Sequence, residues 1–159
     1  MLKKALRLAA LVPLAVAAAL STAQAQTFPS KPITLVVPWP PGGGSDVIAE
    51  ADSTSGNEDL LQFDSELTPL DLVLSQQAND LRIAIHGTAD EILLENWFLG
   101  EDYQVETIEA GTGGTLLNAQ VDQLIQAMAS FSQQSGLTWD QAIDQRPQDV
   151  QTVLAASWQ

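Results

Sequence analysis

The sequence has no cysteine, a single histidine, and only six lysines and arginines against 20 aspartates and glutamates. Without cysteine there is no disulfide framework, no thiolate nucleophile, no cysteine–zinc site and no thiol switch. A chain of 159 residues, enough for one modest domain, must then rely on its apolar core. One histidine, His86, cannot supply the several nitrogen or sulfur ligands that zinc needs. It also has no Gly-x-Ser-x-Gly nucleophile turn to serve as a base, so a surface or turn position is expected for it. The adjacent acids Asp90–Glu91 and Glu101–Asp102 are read as solvated loop residues, since 20 acids make chance pairs inevitable. No catalytic residue is assigned. The shortage of positive charge disfavours nucleic acid and anionic lipid as partners.

The few bases are unevenly placed. Lys3, Lys4 and Arg7 precede an apolar run from Leu8 to Leu20, and Ala23-Gln24-Ala25 follows. Basic, apolar and small-residue regions in that order describe a secretory signal peptide over residues 1–25. The apolar run is shorter than the roughly 20 residues a bilayer needs, and no later stretch suits stable membrane insertion. Removing residues 1–25 leaves three bases against 20 acids, a net charge of −17. Such a surface attracts divalent cations and keeps an exported protein soluble. Secretion or periplasmic residence is the expected localisation.

Beyond the leader, the polarity pattern divides the chain. Residues 26–50 read as a strand, Pro32 to Pro38, a Pro/Gly turn, and a helix start at Val47-Ile48-Ala49-Glu50 capped by Ser45 or Asp46. Residues 51–59 are polar and aperiodic, as in a linker. Residues 60–115 alternate with period two. Leu70, Leu72 and Leu74 share one face, as do Leu81, Ile83 and Ile85, with turns at Gln76–Asp80 and His86–Asp90. Further strands are expected at Ile92–Phe98 and Gln104–Ile108, with Trp97 and Phe98 packing the core. Residues 116–159 switch to period 3.6. One stripe holds Val121, Leu124, Ile125, Met128 and Phe131, with Asn118 as N-cap. Thr138-Trp139-Asp140-Gln141 has capping-box spacing, and Pro147 suits a first turn before the Val150, Val153, Leu154, Trp158 stripe. The expected fold is α+β: a small antiparallel β-meander followed by C-terminal helices.

Two resemblances follow from particular residues. Phe28-Pro29-Ser30-Lys31-Pro32-Ile33 and Val36-Val37-Pro38-Trp39-Pro40-Pro41 running into Gly42-Gly43-Gly44-Ser45-Asp46 resemble the start of Bug-family periplasmic solute-binding proteins of tripartite tricarboxylate transporters. That resemblance implies that Gly42, Gly43, Gly44, Ser45 and Asp46 form an anion-holding loop before a helix. It covers residues 1–50, and the rest of that family's two-lobed body has no counterpart.

Residues 54–159 carry the second. Leu70–Leu74, Asn79–Ile85, Asp90–Phe98 and Gln104–Glu109 resemble the haemolysin-type calcium-binding-protein-related domain, and the ending resembles the C-terminal tail of RTX proteins. The resemblance implies a non-catalytic secreted module linked to calcium, with the type I secretion machinery as partner. Ser55 to Phe63 looks like the worn end of a calcium-repeat array, but no intact Gly-Gly-x-Gly-x-Asp-x-apolar-x copy occurs. Asn57, Asp59 and Asp64 are the candidate ligands for one weakly held calcium ion, against a solvated acidic linker as the alternative. Two other readings are carried forward: a truncated carboxylate-binding protein, and a fusion product without selected function.

Overall fold

The structure, a computed structural model, describes residues 32–37, 45–51, 56–111 and 114–159. The expected leader at 1–25 and Gly42, Gly43 and Gly44 lie outside the described residues. The fold class is α+β, as the patterning implies. The strands are β1 (Thr34–Val37), β2 (Ser45–Ala49), β3 (Leu60–Phe63), β4 (Leu72–Gln77), β5 (Asp80–Ile85), β6 (Glu91–Glu95), β7 (Thr107–Ala110) and β8 (Gly114–Leu117). Helices α1 (Asn118–Ser135), α2 (Trp139–Gln145) and α3 (Pro147–Leu154) follow.

Two sheets form among the described residues, in the orders β1-β3-β7-β8 and β2-β6-β5-β4. The antiparallel run is real but shorter than the alternation implies. It comprises β4-β5-β6, with Leu74 opposite Ile83 and Ile83 opposite Ile92, plus the β7–β8 hairpin. The remaining pairings, β1 with β3, β3 with β7, and β2 with β6, are parallel. The chain therefore winds from one sheet to the other and back, laying each strand beside the one a turn earlier. Period-two alternation names the buried face of a strand, not its neighbour, so this coil is invisible to it.

The second difference lies at Val47-Ile48-Ala49. These residues form strand β2 rather than the start of a helix. Two β-branched residues in sequence suit an extended chain, and β6 supplies the edge: Val47 aligns with Leu93 and Ile48 with Leu94. A further strand, Ile92–Phe98, ends early at Glu95 because Asn96 takes a left-handed conformation (φ 61°) and starts a 3-10 turn.

Alternate residues from both sheets meet the helices in one core. Leu61, Phe63, Leu72, Leu81, Ile83, Leu94, Ile108 and Leu116 are buried there with Val121, Leu124 and Val150. Trp97 is buried in the same core, as expected. Helix α1 packs against both β4 and β8, the edge strands at one end of the two sheets. Gln159 and Thr115 exchange two backbone hydrogen bonds of 2.9 Å, which covers β8 further. At the other end, β1 and β2 are edge strands, and Val36 and Val47 are 56 % and 58 % exposed. Among the described residues, one end of the coil is thus covered and the other is not.

The helix boundaries follow their sequence signals closely. Thr138 caps α2, accepting from Gln141 N–H at 3.2 Å while the Gln141 side chain accepts from Thr138 N–H at 3.0 Å. Pro147 occupies the first turn of α3. The N-cap of α1 is Leu117, one residue before the expected Asn118.

Candidate functional site

The acidic corner before β3 is built by its own hydrogen bonds. Asp59 is only 3 % exposed. Its carboxylate accepts from Ile33 N–H at 2.6 Å and from the Asn57 amide at 3.1 and 3.2 Å. Its own N–H donates to Glu106 Oε2 at 2.6 Å, and its carbonyl accepts from Thr107 N–H at 3.2 Å. Asp59 therefore joins three neighbouring strands, β1, β3 and β7, where each begins. This is neither a solvated linker residue nor an open ligand, because its oxygens are already engaged by protein donors.

Asp64 stands at the far end of β3. Its Oδ1 accepts from Glu66 N–H at 3.1 Å and Ser65 Oγ–H at 3.2 Å, closing the turn after the strand. Five extended residue steps separate it from Asp59, roughly 16 Å at the usual strand rise. Calcium ligands lie about 2.3–2.6 Å from the ion, so no single ion touches both. The structure brings Asn57 and Asp59 together and places Asp64 at the other end of β3. Among the described residues, no cluster of three or more histidine and acidic side chains has a geometry that could hold a metal.

The anion-loop expectation for Gly42–Asp46 needs a helix N-terminus behind it. Ser45 and Asp46 instead begin strand β2, and Asp46 is exposed. An extended strand has no converging row of free N–H groups, so the local basis for that loop is missing where it is described.

The other acidic pairs divide. Glu101 and Asp102 lie exposed in a 3-10 turn, as expected. Asp90 is buried, its N–H donating to Thr88 Oγ1 at 3.1 Å, and Glu91 pairs with Arg82 at 2.5 Å across β5 and β6. A cleft of about 310 Å³ opens between the Thr68–Leu70 turn and α3, with Leu154 and Trp158 in its wall. Its lining carries no titratable side chain.

His86 sits in the turn after β5, as expected, but it is not a free surface group. Its Nδ1 lies 3.0 Å from Asp140 Oδ1 and its Nε2 lies 3.1 Å from Asp144 Oδ1, both on α2. The only sequence signal for this was the four-residue spacing of the two aspartates, which puts them on one helix face. Nothing in the sequence said which strand that face would meet.

The family model for the haemolysin-type calcium binding protein related domain matches residues 80–109. That span begins with β5, contains β6 and the two 3-10 turns, and ends inside β7. It thus covers the passage of the chain from one sheet to the other.

Proposed function

We propose that this chain is an exported, non-catalytic module of the kind that ends RTX-type calcium-binding secreted proteins, with a type I secretion signal in its C-terminal part. The observation that carries this reading is the family match over residues 80–109, which falls on the crossover between the sheets. The architecture is consistent with a closing unit. A coil of two mixed sheets is covered at one end by α1 and, among the described residues, leaves the edges of β1 and β2 unpaired at the other. Among the described residues no helix is long and apolar enough to cross a membrane, which fits a secreted or periplasmic destination.

Calcium enters this reading through the resemblance, since among the described residues no group of acidic side chains forms a metal site. Asn57 and Asp59 form a hydrogen-bonded corner, and Asp64 is too distant to complete a coordination shell. Calcium therefore stabilises the isolated chain only weakly. Calorimetric titration of the chain with calcium checks this. The expected result is a shallow, unsaturated binding curve, and several tight sites would contradict it.

A further inference from the structure

The two carboxylates on His86 set a condition on its protonation. A neutral imidazole has one N–H and one lone pair, whereas an ionised carboxylate only accepts. Both ring nitrogens face carboxylate oxygens, at 3.0 and 3.1 Å. The two contacts are both hydrogen bonds only when the ring is the doubly protonated imidazolium. With the ring neutral, one nitrogen lone pair confronts a carboxylate oxygen. The ring is also well placed to act on α2. Its side chain is 19 % exposed, and its backbone N–H donates to the Asp71 carbonyl at 2.8 Å, which anchors it to the start of β4.

The surrounding charges are otherwise committed. The Asp71 carboxylate accepts from Thr68 N–H and Oγ1–H at 2.8 and 2.7 Å. Asp90, across the turn, is buried and is itself engaged. Arg82, on the same face of β5, is paired with Glu91. Arg146, just beyond α2, bonds Asp149 and lies over the Phe131 ring. No second cation among these replaces the proton on His86.

We propose that His86 is a proton-operated clasp between the sheet and the C-terminal helices: protonated, it holds α2 by both aspartates, and deprotonated, it releases one of them and loosens α2. The inference does not depend on the secretory reading. The hydrogen bond to Asp140 does most to raise the His86 pKa above 6.5, partial burial opposes it, and Asp144 adds to the rise. A raised folded-state value means the clasp's contribution is fully present below the unfolded value, near 6.5, and is lost as pH rises through the folded value. The apolar anchors of α2, Trp139, Ala142 and Ile143, do not titrate, so the helix loosens without unfolding the molecule.

His86 is the sole histidine, so its ring resonances titrate without overlap. The experiment is an NMR titration of the full chain beside the Asp140→Asn/Asp144→Asn variant, with amide exchange of α2 measured below and above the midpoint. Asp140 and Asp144 are 60 % and 69 % exposed, so these substitutions leave the buried core untouched. The clasp predicts a wild-type midpoint above 6.5 that falls in the variant, because both groups that raise it have lost their charge. It also predicts several-fold lower α2 protection at high pH, after correction for intrinsic exchange, and no such change in His86→Gln. Equal midpoints in wild type and the asparagine variant would overturn it. So would α2 protection that varies with pH equally in wild type and His86→Gln.

Discussion

Gly111 shows how much one residue can decide. It turns the chain between β7 and β8 at φ 58°, and a Cβ there would run into the backbone carbonyl of Leu67. Both the left-handed conformation and the close backbone demand glycine. Gly111→Ala should cost about 2–4 kcal/mol, lowering the melting temperature by roughly 5–15 °C in a calorimetric scan. The carbonyl that this glycine must avoid is not legible in the sequence, because Leu67 comes from a distant loop. The same limit explains Asp59. Its position beside Asn57 suggested an ion ligand, yet its carboxylate accepts from Ile33 N–H and the Asn57 amide, and its carbonyl accepts from Thr107 N–H. His86 is the third case: the turn was foreseeable, and the pair of aspartates clasping it was not.

At the scale of elements, the helices were the most legible part. Their signals are local: a 3.6-residue apolar stripe, the Thr138–Gln141 capping box, and Pro147 at a first turn. Thr138→Ala removes a side-chain acceptor from α2 and should cost about 1 kcal/mol. A chemical denaturation series should show a lower midpoint with an unchanged slope, since the cap is exposed and its loss leaves the buried area intact. The hairpin β4–β5 was equally clear, because its apolar residues alternate on both sides of a short polar turn. The strand β2 was misread as a helix start. Four or five residues between glycines and a polar stretch fit either conformation, and the choice fell to β6, whose edge lay more than 40 residues away in sequence.

At the scale of the molecule, α+β was readable from the change of period near residue 116, whereas the winding between two sheets was not. Parallel neighbours are joined by long connections, so no local turn announces them. The pairing of β1 with β3 and of β2 with β6 also places residues from the 26–50 segment in the same sheets as the family-matched residues. Among the described residues, the coil that results has one end covered by helices and one uncovered. This asymmetry, together with the match over residues 80–109, supports the reading of a closing module in an exported protein. The most direct measurement of that reading is export of a passenger protein joined ahead of residues 26–159, in cells that contain a type I secretion apparatus. The account predicts that the passenger reaches the medium and that removing residues 116–159 keeps it inside. Retention of the passenger whether or not those residues are present would contradict it.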